Sequence, residues 1–332
     1  VSPPISILDL APVRRGQTVG DALAATVELA RGAEAAGYLR VWYAEHHNIA
    51  TIASSATSVL IAHVAAHTGS IRLGAGGIML PNHSPLVVAE QFGTLESLHP
   101  GRIDLGLGRA PGTDREAMAA LRRYAEAADR FPEDVLELQG YLQGEPRRAG
   151  VKAIPGHGAD VPLYILGSSM FGATLAAALG LPYGFASHFA PDWLEEAVAA
   201  YRSGFRPSQQ LERPYVIAGV NVVVADTSEE AQEQFRAALR WRASSLLAHG
   251  RELADEEADR LLASPAGAHV RNMVTYAAVG TPPEVRAYLL DFAAHARADE
   301  LMVVHQSPTT QQRLRSVELL AEAMEGEPAP QL

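Results

Sequence analysis

Eight short apolar segments recur along the chain, each separated from the next by a helix-like stretch, and this alternation limits the fold more than any other feature. The segments are Ile5–Leu10, Arg40–Ala44, Ile71–Gly76, Arg102–Gly106, Leu163–Leu166, Tyr183–Ala186, Tyr215–Val224 and Glu300–Val304. Between them lie stretches with helical spacing: Val19–Gly37, Ser55–His67, Pro85–Leu98, Glu133–Leu142, Phe171–Leu179, Pro191–Arg202, the charged region Ser228–Leu262, and Pro283–Ala296, with Thr310–Met324 closing the chain. Strands joined through helices pair in parallel, and right-handed crossovers close eight of them into a barrel. The expected fold is therefore α/β, a (β/α)8 TIM barrel with insertions; an open doubly wound sheet is the rival. Residues 1–326 are read as one barrel domain with excursions at 111–160 and 241–275, and residues 327–332 as a C-terminal tail.

With 332 residues, 48% of them hydrophobic and 20% charged, the chain can bury a large core. The net charge of −11 comes without a clustered basic surface, which argues against nucleic-acid binding. There is no cysteine, hence no disulfide, thiolate nucleophile or Cys-ligated metal; this fits a cytoplasmic location. The first residues lack a charged region followed by an apolar run, so no signal peptide is expected, and no apolar stretch of about 20 residues suggests a membrane span.

A (β/α)8 barrel places its active site at the C-terminal strand ends. Those ends are Leu8-Asp9, Glu45-His46-His47, Gly76-Gly77-Ile78, Gly108-Arg109, Gly167-Ser168-Ser169, Ser187-His188, Asn221 and His305. His46 can exchange a proton near neutral pH, or it can brace the barrel rim. Arg109 suits a phosphate, or a surface ion pair. Ser168-Ser169 opens a helix whose first N–H groups bind an anion, or it only caps that helix. Because Arg109 and Ser168-Ser169 follow adjacent strands, they outline a pocket for one phosphate monoester. His63 and His67 have the spacing of a zinc helix, but Val64 replaces the acid and the helix lies outside the barrel, so a structural pair is expected; no metal site is assigned. The run Gly74 to Pro81 lacks the helix that a dinucleotide fingerprint needs directly after its glycines.

Four segments in this order resemble the bacterial luciferase-like monooxygenase family: Ala44-Glu45-His46-His47-Asn48, Gly76 to Pro85, Pro100 to Arg109, and Leu166-Gly167-Ser168-Ser169. The likeness covers about nine tenths of the chain, and it implies reduced FMN as co-substrate with O2 acting on a small organic molecule. It also implies a separate flavin reductase and a homodimer built on helices near the second and third strands. By position, His46 matches the family's active-site histidine, and Gly76-Gly77 matches a cis peptide beneath the flavin. The cofactor-binding set it implies is Ala75, Gly76, Gly77, Arg109, Leu166, Gly167, Ser168, Ser169 and Met170. Asp9, Glu45 and His188 are expected to line the substrate pocket, together with residues from 111–160 and 241–275, and Glu45 is also expected to hold an imidazole or the loop by hydrogen bond. His46 is expected to face the flavin and His47 to face away. Gly108 stands where luciferase carries a reactive cysteine, and the long mobile loop of luciferase has no clear counterpart, which separates this chain from light emission. A deazaflavin-dependent hydride transferase, a non-catalytic flavin-binding protein and a flavin-free sugar-phosphate enzyme are the alternatives. The last would need a catalytic lysine or paired acids at strand ends, and the only lysine is Lys152, in a loop.

Overall fold

Parallel strands can be buried on both faces only if they read as nearly unbroken apolar runs, and the strands here do so. The structure, a computed structural model, describes residues 2–110, 114–122, 125–248 and 251–325. The strands are β1 (Ile5–Asp9), β2 (Arg40–Tyr43), β3 (Arg72–Met79), β4 (Ile103–Gly108), β5 (Leu163–Gly167), β6 (Tyr183–Phe185), β7 (Val216–Val224), β8 (Ala277–Gly280) and β9 (Glu300–His305). Strands β1 to β6 pair in sequence order, β6 pairs with β7, and β7 and β1 both pair with β9, all in parallel. Eight strands therefore close a barrel, as the alternation predicts.

Helices α1 (Val19–Ala35), α2 (Thr57–Ala65) and α3 (Pro85–Leu98) follow the first three strands. Between β4 and β5 come α4 (Arg115–Ala120) and α5 (Phe131–Gln143). Next are α6 (Met170–Leu179) and α7 (Leu194–Gly204). After β7 run α8 (Ser228–Leu247), α9 (Asp255–Ala263) and α10 (Ala268–Asn272), and α11 (Pro282–His295) and α12 (Thr310–Met324) complete the ring. The single helical region expected at 228–262 is thus two helices, and α8 passes through position 241 without a break. The expected tail, 327–332, lies outside the described residues, as do 111–113 and 249–250 of the two excursions.

One strand was not expected. β7 is nine residues long and all are buried. Its first half meets β6 through Val216, Ile217 and Ala218, while its second half, Asn221 to Val224, pairs with Ala277 to Gly280 of β8. β8 therefore extends the sheet beyond the closed barrel, because β7 outruns its three-residue neighbour β6.

The core has two layers. The larger packs the outward strand faces against the helices. The smaller fills the barrel itself with Leu8, Trp42, Ala44, Tyr164, Ile217, Met302 and Val304. At the N-terminal end of the barrel, Arg40 donates to Asp104 Oδ2 at 2.7 Å and Tyr164 Oη at 2.7 Å, and its Nε lies 3.0 Å from Glu300 Oε1. Arg72 reaches the second oxygen of Asp104 at 2.5 Å, Trp42 Nε1 donates to Asp104 at 3.0 Å, and Tyr215 and Ser6 donate to Glu300. Removing one partner of such a buried network strands the other charges, at a cost of about 3–5 kcal/mol. Arg40→Met is expected to lower stability by that amount in urea unfolding; a loss below about 1 kcal/mol would mean that the carboxylates are paired without it.

Candidate active site

The C-terminal face of the barrel is held open by an acid that never reaches it. Glu45, two residues past the end of β2, is fully buried. It accepts hydrogen bonds from His47 Nε2 at 2.9 Å, His83 Nε2 at 2.9 Å, Met79 N at 2.9 Å and Asn82 Nδ2 at 3.3 Å. Burial alone would raise its pKa, but the hydrogen bonds and charge from His83, with those from His47 and Met79, leave it below the usual range. The carboxylate thus ties the end of β2 to the loop between β3 and α3.

While His47 is hydrogen-bonded to Glu45, His46 has no side-chain hydrogen bond among the described residues. Its backbone N–H donates to Ser54 O at 3.0 Å, while its Nδ1 is shielded from water and meets no partner among the described residues. Burial lowers its pKa; Glu45 opposes this and His47 adds to it. Across the mouth, His188 Nδ1 is also shielded and without a partner. Burial, with the charges of Arg242 and His46, depresses the His188 pKa to about 3. His188 is held through its carbonyl by Asn221 Nδ2 at 2.8 Å, and it lies so close to Gly219 that a Cβ there would collide with the ring. Both imidazoles are therefore neutral at neutral pH, and they lie near enough to interact electrostatically.

On the neighbouring strands β3 and β4, glycines stand where other side chains pack too closely to admit a Cβ. The Gly76-Gly77 peptide is cis, and the pairing of β3 with β4 shifts register between Ala75 and Ile78. A Cβ on Gly76 would come within 2.8 Å of Leu8 Cδ1, and one on Gly77 within 2.6 Å of Gly106 O, so only glycine fits at either position. Beyond β4, the Arg109 guanidinium stacks over the Phe171 ring at 4.1 Å. Phe171 is the second residue of α6, and the N-cap of that helix, Ser169, makes no side-chain capping bond. A cation and the uncapped N–H groups of a ten-residue helix therefore stand side by side, an arrangement that attracts a phosphate-sized anion.

A model of the luciferase-like monooxygenase family matches residues 4–300. The chain belongs to this family. It is 45% identical over 323 residues to the luciferase-like monooxygenase of Escherichia coli strain K12, covering 96% of each chain. It is 39% identical over 236 residues to the N-acetyl-S-alkylcysteine monooxygenase of Bacillus subtilis, covering 69% of this chain and 70% of the other. Among solved structures, apo-MsnO8 superposes with a TM-score of 0.88 at 36% identity, covering 99% of both chains. More distant luciferase-like folds include the oxygenating constituent of 3,6-diketocamphane monooxygenase from Pseudomonas putida in complex with FMN (17% identity, TM-score 0.73, 97% and 98% covered). An F420-dependent secondary alcohol dehydrogenase has the same fold (16% identity, TM-score 0.70, 98% and 100% covered).

In this luciferase-like monooxygenase the sequence-selected residues fall into three groups. Ala75, Gly76, Gly77, Arg109, Leu166, Gly167, Ser168, Ser169 and Met170 all lie at or beyond the C-terminal halves of β3, β4 and β5. His46 and His188 are electrostatic neighbours across the mouth. Asp9 and Glu45 do not line a pocket as expected: both are fully buried and their oxygens are already taken. Asp9 accepts from Ala11 N, Thr26 Oγ1 and Arg313 Nη2, at 3.0, 2.8 and 3.0 Å. Of the remaining strand-end residues, His305 points into the helix layer, with Ser316 Oγ at 2.9 Å and Tyr38 Oη at 3.3 Å. His63 and His67 sit on the exposed face of α2, where His67 Nδ1 bonds the His63 carbonyl. Among the described residues no group of three or more His, Asp and Glu side chains could hold a metal ion.

Sequence reasoning missed Arg14, Trp241 and Arg242. Arg14 stacks over Trp241 at 4.4 Å, yet no local pattern marks either arginine, because they meet only through the barrel's closure.

The depressed His188 pKa has a direct consequence. The unfolded chain takes up a proton near the ordinary value of 6.5 and the folded one does not until about 3. The stability that the neutral ring contributes is therefore fully present above 6.5 and is lost as pH falls toward 3. Imidazole nitrogen NMR should show His188 neutral at pH 5; titration near 6.5 would place the ring in water.

Proposed function

We propose that the chain is a monooxygenase that takes reduced FMN and O2 and oxygenates a small organic molecule. The observation that carries this reading is the pairing of an anion cradle, Arg109 beside the uncapped start of α6, with a stretch of wall at Gly76-Gly77 where only glycine fits. The two features fit the two ends of a flavin mononucleotide, a phosphate and a flat ring. Arg109 and the first N–H groups of α6 bind the phosphate, while Ala75, Gly76 and Gly77 let backbone approach the ring. Leu166, Gly167 and Ser168 are half-exposed beside that wall, and Met170 and Phe171 add an exposed apolar rim. Reduced FMN would supply the electrons for oxygen activation.

His46 acts on protons. Its depressed pKa keeps the ring neutral, so the unpartnered Nδ1 can accept a proton from a substrate or hand one back at neutral pH. His188 adds a second neutral ring and no competing charge. Glu45 is a positioning residue, since its hydrogen bond to His47 leaves His46 as the imidazole facing the mouth. The reduced flavin comes from a separate reductase, and two copies of the chain associate through α2 and α3, where Val59 and Val87 are exposed apolar residues.

Arg109→Ala is expected to weaken FMN binding by about 1.5–3 kcal/mol, the scale of charged hydrogen bonds, in a titration of the purified protein. Unchanged affinity would remove the phosphate assignment, and tighter binding of a deazaflavin than of FMN would replace the cofactor. His46→Ala should retain FMN and lower turnover by about 10²–10⁴-fold, with more peroxide released per product formed. Turnover at the wild-type rate would leave His46 as a rim brace only.

A further inference from the structure

Two arginines stand at the barrel mouth without a carboxylate partner among the described residues. Arg14 lies in the loop after β1, and Arg242 in the second half of α8. Three backbone and side-chain ties bring these segments together beside His46. Val13 N donates to Thr51 O at 2.9 Å, Ala53 N donates to Ala11 O at 3.0 Å, and Thr51 Oγ1 meets Ser245 Oγ of α8 at 2.9 Å. Ser54, in the same segment, accepts from the His46 backbone. Arg14 then stacks on Trp241, the residue before Arg242.

The guanidinium groups are poorly satisfied. Arg14 Nε and Nη1 and Arg242 Nη1 are shielded from water and have no hydrogen-bond partner among the described residues. Arg14 Nη2 reaches only the Ser307 carbonyl, at 3.5 Å. The nearby acid, Asp9, is already held by Arg313 at 3.0 Å. Burial pushes the Arg14 pKa down to about 9, with the charges of Arg313 and Arg242 adding to it and Asp9 opposing, and burial alone pushes Arg242 down to about 10. Both side chains remain cations at neutral pH. Shielded, unpaired charge is costly, and an anion placed between them would remove that cost.

We propose that Arg14 and Arg242 form an anion subsite, separate from Arg109, that holds a carboxylate of the organic substrate with its reacting end toward His46 and His188. The inference rests on the monooxygenase reading for the word substrate, and it names that substrate as an organic acid. Arg242 is close enough to His188 to depress its titration, which places the subsite on the histidine side of the mouth rather than at α6. A planar guanidinium matches a carboxylate in two-point contact, and Trp241 holds the Arg14 plane in place.

The test uses flavin-free protein and two probes of equal size, hexanoate and hexanamide, titrated by ligand-observed NMR. Hexanoate should bind at least about tenfold more tightly than hexanamide, and Arg242→Gln should remove that preference. Arg242→Gln should also leave FMN affinity within about twofold, since the phosphate is assigned to Arg109. Equal binding of the two probes by the wild type would overturn the proposal, and this comparison does not depend on the variant folding. Inorganic phosphate displacing hexanoate at lower concentration than hexanoate itself binds would also overturn it, by making this a phosphate site. If FMN binds and hexanoate shows no preference, the anion subsite alone fails. If hexanoate shows the preference and FMN does not bind, the subsite stands and the flavin reading fails.

Discussion

Arg40 carries a positive charge inside a barrel otherwise filled by Leu, Trp, Tyr, Ile and Met, and the rest of the barrel depends on how that charge is met. The side chain starts at the first residue of β2 and is answered by Asp104 from β4 and Glu300 from β9, with Tyr164 of β5 completing the shell. Ser6 of β1, Tyr215 just before β7 and Arg72 of β3 attach to the same carboxylates. Burial opposes charge on Arg40, but Asp104 and Glu300 outweigh it and hold the guanidinium firmly protonated. Burial pushes the Glu300 carboxyl the other way, above its usual range, despite Arg40. Six of the eight barrel strands, and the residue just before a seventh, thus have register-dependent polar contacts at one end. A slip of one residue on any of them turns the polar side chain out of the barrel and leaves its partners unpaired.

That floor frees the opposite end from structural duty. The C-terminal ends of β3 and β4 are lined by Gly76, Gly77, Gly106 and Gly108, where ordinary side chains would clash. The space in front of these glycines is filled by Leu8 of β1, Trp42 of β2 and Leu166 of β5. Glu45 does at the mouth what Asp104 does at the floor, gathering donors from a loop that has no sheet partner of its own. Its buried charge is acceptable because His83, His47 and Met79 N all point at it. The same polar economy explains why the histidine after it has no partner: the loop's acceptor is already in use.

Much of this was legible in the sequence, and the failures have particular causes. The eight barrel strands and the bounds of α3 and α12 follow from apolar period and flanking turns, signals that act over a few residues. β8 was missed because Ala-Ala-Val-Gly is neither β-branched nor aromatic enough to read as a strand; it exists because β7 offers it an edge. Asp9 and Glu45 are read from the sequence as pocket residues, and for Glu45 only its role of holding an imidazole and the loop by hydrogen bond is met. Here Arg313, 304 residues away from Asp9, and His83, 38 residues from Glu45, take up their oxygens, and no local pattern reports such distant partners. The Arg14–Trp241 stack was invisible for the same reason.

The chain carries a net charge of −11, yet its mouth collects arginines and neutral histidines. Arg109 stands on one side, Arg14 and Arg242 on the other, and Glu45 and Asp9, the acids beside them, are sealed in hydrogen bonds. An acidic surface around a locally positive opening does not repel an anion once it has entered, because charges farther than about 8–10 Å are screened at ordinary salt while shielded ones are not. What the anion meets inside is the unscreened part of the field. On the proposed function, keeping His46 and His188 neutral matters: two more positive charges would strengthen anion binding but remove the acceptor nitrogen that proton transfer would need. Burial, helped by Arg242, keeps His188 neutral and burial keeps His46 neutral, so in that reading the groups that hold charge are separate from the group that moves a proton.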